Sequence, residues 1–412
     1  MVGLLGVVAL LALAYALSEN RRAIRPRTVL GGLMLQMAMT ALLLDFPPAR
    51  HAMLGLNNAV EALQAATDAG SSFVFGYLGG GALPFAETSP GGSFILAFKV
   101  LPLVLTISAI SSLLIYWGVL QAVMRGFAAV LRRSLGVGGP LSLGAAVHIF
   151  VGMTEAPLLI RPWLSRMSRG EIFALMTCGM AGIAGTVMVI YAAMLGPVIP
   201  DSMGNILSAG IVNTPAALVI AAIMIPFGIP GPDESRLVLP HPPAGPVDAL
   251  VRGTMDGVAP LVGIAVMLIV AVALVALVNM GLGHLPNVAG APVTLERLAS
   301  VPFRPVMWLI GIPWDETATA AQLMGTKTVL NEFVAYLHFA ALPAGALSAH
   351  SKLILTYALC GFANFASVGI LVGGMRAMVP ERADEITALG MRSLVSGTIA
   401  TCLSGAWVGL LG

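Results

Sequence analysis

The stretch Val147-His148-Ile149-Phe150-Val151-Gly152-Met153-Thr154-Glu155-Ala156-Pro157 decides how this chain is threaded. It lies inside an apolar run, Leu141 to Ile160, with Arg125, Arg132 and Arg133 before the run and Arg161, Arg166 and Arg169 after it. Lys and Arg gather in the cytoplasmic loops of membrane proteins. Both ends of the run therefore belong inside, which a simple crossing cannot satisfy. A hairpin that enters and leaves by the cytoplasmic face satisfies it. The centre of that hairpin puts an acid, an imidazole and two helix breakers at membrane depth, where irregular backbone survives only if buried in protein or lining a water-filled cavity. An ionisable group in such a place points to function.

Composition supports a membrane solvent. Hydrophobic residues make up 58% of the 412 and charged residues 10%, against roughly a quarter charged in soluble domains. Apolar runs recur from Val2 to Gly412, and about 20 such residues cross a bilayer as a helix. The net charge of +2, with dispersed arginines, excludes a nucleic-acid-binding face. Cys178, Cys360 and Cys402 sit in apolar runs without metal-ligand spacing, so they read as small buried hydrophobes, and no metal or cofactor is expected.

The same rule threads the remainder. Val2 to Leu17 has no basic stretch before it and is followed by Arg21, Arg22, Arg25 and Arg27. That is the reverse of a signal peptide, so a retained helix with its N-terminus outside is expected. A second span, Val29 to Phe46, returns to an outer stretch, Pro47 to Gly92, holding an interfacial helix and the Gly-rich patch Phe75 to Gly81. A third span, about Phe94 to Leu120, leads to a basic amphipathic helix on the cytoplasmic side. After the hairpin come crossings at Ile172 to Leu195 and Ile206 to Phe227, a Pro-rich cytoplasmic linker, Gly228 to Val247 with Arg236, and a long span from about Val258 to Leu282. The pattern then recurs upside down. An interrupted segment, Leu323 to Ala341, carries Lys327, Asn331 and Glu332 in mid-run, and crossings at Leu353 to Met375 and Ile386 to Leu411 follow it.

A broken hairpin with one Glu, then two crossings, thus occurs twice from opposite faces. This is the pattern of an inverted-repeat transporter, whose substrate site lies near the midplane between the broken elements. The expected fold is an all-α polytopic membrane protein with about eight transmembrane helices and two opposed re-entrant hairpins in an inverted repeat. Its expected divisions are scaffold and interfacial helices in 1–134, a first repeat in 135–228, a linker and long scaffold span in 229–300, and a second repeat in 301–412. Asn364 and Ser367, three apart, are expected on one helical face, and Trp314-Asp315-Glu316 reads as a helix start.

At these residues the chain resembles the concentrative nucleoside transporter family, in its bacterial branch. Gly152-Met153-Thr154-Glu155-Ala156-Pro157 is similar to its Gly-Gln-Thr-Glu-Ala-Pro signature. Lys327 to Tyr336 and Gly361 to Ser367 are similar to its second and third. The resemblance implies eight crossings, a homotrimer in the bacterial inner membrane, and an elevator-like movement of the substrate-carrying part. It also implies that Met153, Thr154, Glu155 and Val187 face the nucleobase, and that Glu332, Asn364 and Ser367 hold the ribose hydroxyls with Phe362 packed nearby. Carboxylates suit that role, since each accepts charge-assisted hydrogen bonds from hydroxyl or N–H groups.

Three departures from the family pattern shape the expected specificity. The signature Gln is Met153, as in purine-preferring animal members, so purine nucleosides are expected. Sodium-coupled members use an Asn and a Ser or Thr side chain together with backbone carbonyls; the matching positions are His148 and Gly182, with the carbonyl-bearing positions at Val151 and Ile183. A hard cation needs several oxygen ligands, and both side-chain oxygens are gone. Proton coupling is therefore expected ahead of sodium. The alternatives are a carrier of nucleobases or modified nucleosides on the same fold, sodium symport, and, more remotely, an intramembrane nucleoside hydrolase using paired carboxylates.

Overall fold

The computed structural model describes residues 2–87, 93–228, 243–288 and 290–412. Most of the Pro-rich linker, including Arg236, and the end of the outer stretch lie outside the described residues. Among those described, the secondary structure is helical apart from one isolated bridge, Val288 to Ala291. Two helices, α1 (Val2–Ala16) and α2 (Pro26–Asp45), lead into the long α3 (Pro47–Phe75). A short α4 (Leu96–Lys99) precedes α5 (Leu103–Tyr116), and Gly118, at φ +75°, turns the chain into α6 (Val119–Leu135). On α6 the residues Met124, Ala128, Leu131 and Leu135 recur at helical spacing and are buried, which leaves the expected amphipathic helix with its arginines outside.

The first broken hairpin comprises α7 (Gly139–Val147), α8 (Glu155–Leu159) and α9 (Arg161–Leu164). A capping box at Ser168 and Glu171 then starts α10 (Arg169–Ala181), followed by α11 (Gly185–Leu195) and α12 (Ser202–Met224). The long α13 (Pro246–Leu282) connects to α14 (Leu295–Ser300) and α15 (Phe303–Leu309). The second hairpin is α16 (Thr317–Val329) and α17 (Glu332–Ala340), and α18 (Ala349–Leu359), α19 (Phe365–Met378) and α20 (Ala383–Leu411) complete the chain. As expected, α16 starts directly after Glu316, whose carboxylate accepts from the backbone and hydroxyl of Ser348 at the head of α18. Six helical stretches among the described residues are long and apolar enough to cross a membrane; Val2–Ala16 and Phe365–Met378 are shorter apolar helices.

Two expected crossings are not continuous helices. The run Ile172 to Leu195 is broken at Gly182-Ile183-Ala184, and Leu353 to Met375 is broken between Cys360 and Asn364. Hydropathy alone cannot register a break whose residues are as apolar as the helix around them. The breaks persist because their freed polar groups find partners in each other. Phe362 donates its N–H to the Gly182 carbonyl at 3.1 Å. The Asn213 amide, from the middle of α12, donates to both Ala181 O (3.1 Å) and Cys360 O (2.6 Å). Lys327, fully buried, donates to Ala358 O at 2.9 Å and to Thr401 Oγ1 at 3.3 Å. Crossing this closely also requires Gly361, where a Cβ would stand 2.9 Å from Ala181 O.

Asn364 corrects a second expectation. It does not share a helical face with Ser367 but precedes the helix in extended conformation, and its side chain accepts the Ser367 N–H at 2.8 Å as the N-cap of α19.

Packing separates two groups of helices. In one, α2 lies on α12, α1 on α20, and α10, α12 and α18 all pack on α20. Gln36 of α2 donates to Ser404 of α20 at 3.0 Å within that group, both side chains being buried. The other is the close pair α5 and α13, which meets the first group where α5 packs on α11 and where α6 bridges α5 to α2 and α7. Whereas α12 is enclosed by protein, α13 turns most of its apolar surface outward.

Candidate functional site

Four helix N-termini meet at the centre of the molecule. Glu155 opens α8, Ala184 precedes α11, Asn331 and Glu332 open α17, and Asn364 caps α19. All five residues line one cavity of about 570 Å3, inside the range of about 300–1,000 Å3 usual for small-molecule sites. Unpaired backbone N–H groups and the helix dipole make each such end favourable for an acceptor or a partial negative charge. Discontinuous helices are the means by which carriers bring such ends to the membrane interior.

Every residue assigned to substrate from the sequence lines this cavity. Met153, Thr154 and Glu155 come from the first hairpin, and Val187 from α11. Glu332, Phe362, Asn364 and Ser367 come from the second repeat. Gly152 leaves room for the Glu155 carboxylate to fold back over the hairpin tip, since a Cβ there would stand 2.2 Å from Oε2. Among the described residues, no Lys, Arg or His side chain lines the cavity.

Glu332 is buried, and its two oxygens are each held by one protein donor. Tyr191 Oη donates to Oε1 at 2.7 Å, and Asn364 Nδ2 donates to Oε2 at 3.0 Å. The Tyr191 ring is itself fixed, edge-on to Phe333 at 5.9 Å and tilted against Tyr336 at 4.8 Å between centroids. Tyr336 in turn donates to Thr356 O at 2.8 Å. A carboxylate has about four acceptor positions, so Glu332 keeps free lone pairs in a fixed orientation. Tyr191 was not among the residues singled out from the sequence. Its signal there was one phenol in an apolar run, four residues beyond Val187 and so on the same helical face.

The positions matching a cation site are grouped differently. Val151 lines the cavity, but His148, Gly182 and Ile183 do not. His148 and Gly182 are neighbours: a Cβ on Gly182 would stand 3.6 Å from the His148 carbonyl, and one on Gly179 would stand 3.3 Å from His148 Cε1. His148 is buried, and its Nε2 has no hydrogen-bond partner among the described residues.

The fold and the site define a multi-pass membrane carrier whose broken helices surround one cavity. Descriptions of the Na+ dependent nucleoside transporter match residues 5–78 (N-terminus) and 205–409 (C-terminus), and a nucleoside-recognition gate matches residues 97–198. An uncharacterized transporter of Haemophilus influenzae is 37% identical, covering 99% of this chain and 96% of that protein. The nucleoside permease NupC of Helicobacter pylori is 32% identical over 98% of this chain and 96% of its own. The solved structure of CNTnw in an inward-facing substrate-bound state superposes with a TM-score of 0.89 at 34% identity, covering 100% of this chain and 99% of the other. The chain belongs to the concentrative, Na+ dependent nucleoside transporter family, and it is a transporter, not an enzyme.

Proposed function

We propose that this transporter imports nucleosides, purines ahead of pyrimidines, across a bacterial inner membrane by proton symport. The observation that carries the nucleoside reading is the convergence of Met153, Thr154 and Glu155 with Glu332, Asn364 and Ser367 on one cavity. Ribose hydroxyls donate to the open lone pairs of Glu332, and the base lies against Met153, Thr154 and Val187. Met153 offers a polarizable apolar surface where an amide would pair with polar edges, which favours the larger purine face. A nucleobase without its sugar would leave Glu332 and Ser367 unpaired, the condition under which a hydrogen-bonding site rejects an analogue.

Proton coupling is supported by chemistry at the cation position. His148 and Gly182 supply no side-chain oxygen for sodium, and an imidazole, the side-chain type whose unperturbed titration lies nearest neutral pH, takes the place of the expected amide. His148, protonated from outside, would offset Glu155 while the loaded site moves, and its deprotonation inside would favour release; Glu155 is the rival proton carrier. The division of packing into two groups suits an elevator-like passage of the repeats, with α1 and α2 attached, past a fixed α5–α13 pair. The outward apolar surface of α13 suits contact with lipid and with further copies in a homotrimer. Uptake of adenosine into proteoliposomes under separately imposed H+ and Na+ gradients tests the coupling. Accumulation driven by sodium alone would refute it, and competition by adenine would turn the cargo towards nucleobases.

A further inference from the structure

The wall opposite the hairpins is left unused by that reading. It is built by α5 and α13, which close on each other at two glycines. A Cβ on Gly253 would stand 2.5 Å from Ser112 Cβ and 2.7 Å from Ser108 O, and one on Gly257 would stand 2.9 Å from Ser108 Cβ. The seam sets Ser108, Ser111 and Ser112, one turn of α5, alongside Asp256 of α13, and all four line the same cavity as Met153 and Glu332. Asp256 is the single charged residue of α13 between Gly253 and Leu282. Its carboxylate has no ion pair or hydrogen bond with any described residue. Asp256 stands just before the span read from Val258 onwards, and a carboxylate that lines a cavity there is free to meet a ligand or water.

The chemistry of this wall complements what the hairpin lacks. Met153 gives the polar edge of a base no amide partner, and burying that edge unpaired is unfavourable. Asp256, ionised, is an acceptor only, and the serine hydroxyls can donate or accept. An acceptor-only group sorts bases by whether they present N–H. We propose that Asp256, with Ser108, Ser111 and Ser112, forms a second base-reading subsite on the α5–α13 wall, selective for nucleosides whose base carries an exocyclic amino group. This deepens the nucleoside reading of the cavity and rests on it.

The probe is purine riboside, which differs from adenosine by the missing 6-amino group. In competition with labelled adenosine uptake by the full-length transporter in proteoliposomes, wild type should accept purine riboside at least about tenfold less well than adenosine, the loss typical of one hydrogen bond to a charged group. Asp256→Asn should narrow that gap, and so should the paired Ser111→Ala, Ser112→Ala variant, which keeps the test open if the first assembles poorly. Discrimination against 3′-deoxyadenosine, set at Glu332, should stay at its wild-type level in both. A wild type indifferent to the amino group, or a gap that survives both changes, overturns the subsite and leaves Asp256 a solvated charge at the cavity mouth. Absence of adenosine uptake by wild type would instead overturn the nucleoside reading itself, and the subsite with it.

Discussion

Glu332 shows how much one side chain depends on its neighbours. Tyr191 and Asn364 fix the orientation of its carboxylate while leaving lone pairs free, which is what the proposed ribose contact requires. Glu332→Gln replaces one of the two oxygens with a donor, which opposes either the Tyr191 hydroxyl or the Asn364 amide. Uptake should be abolished while the variant still elutes from size exclusion as wild type does; retained uptake would remove Glu332 from the site. Tyr191→Phe deletes one hydrogen bond to a charge, an effect of about 1.5–3 kcal/mol. It should raise the half-saturation concentration for adenosine roughly tenfold or more, with a smaller change in maximal rate. Met153→Gln should move the uridine-to-adenosine preference towards uridine, by about 1 kcal/mol or more for one buried hydrogen bond gained, and an unchanged ratio would count against position 153 as a base reader. These acids were legible in the sequence because a carboxylate in an apolar run stands out against its surroundings. Tyr191, Asn213 and Lys327 were not singled out as partners, because which carbonyl or carboxylate each one meets is decided by contacts far away in the chain.

At the scale of elements, the interruption of the run Leu141 to Ile160 was legible, since arginines on both sides of it and Gly152 and Pro157 within it argue against one continuous helix, and the chain does break between Val147 and Glu155. The breaks within the two following crossings were not. Their one sequence signal was Asn364 with Ser367, which fits an N-cap as well as a shared helix face, and the spacing of three does not separate the two readings. The structure resolves the ambiguity through the Asn364 side-chain Oδ1, which accepts the Ser367 N–H. The crossing of the breaks should behave as one structural unit. Asn213→Leu removes the donor shared by Ala181 O and Cys360 O, leaving two buried carbonyls short of a partner at about 1–3 kcal/mol each. Thermal unfolding in detergent should therefore fall clearly below wild type, and Lys327→Met, which strips Ala358 O, should act in the same direction. If Asn213→Leu melts with wild type, the two breaks are held by something other than this amide.

For the whole molecule, the all-helical multi-pass architecture was legible because the bilayer imposes a strict solvent on every segment, and apolar runs of spanning length stand out in the sequence. Which helices pack together was not, because α1 and α2 precede the hairpins in sequence yet pack on α12 and α20. The coupling ion belongs to this scale, since it is read from transport across an intact bilayer. In sodium-free medium an inward proton gradient should drive wild-type accumulation, and His148→Asn combined with Gly182→Ser should lose that drive. Undiminished proton-driven uptake by the double variant would clear His148 and leave Glu155 as the carrier. The shared amide of Asn213 also has a consequence for how the chain is made. Its two acceptors lie on either side of it, and the Cys360 carbonyl is 147 residues further along. At about 5–20 residues per second, a ribosome needs roughly 7–30 s to supply that second partner. Throughout that interval the first repeat sits in the bilayer with its broken helix incomplete, so biogenesis has to shelter a half-finished core until the last third of the chain arrives.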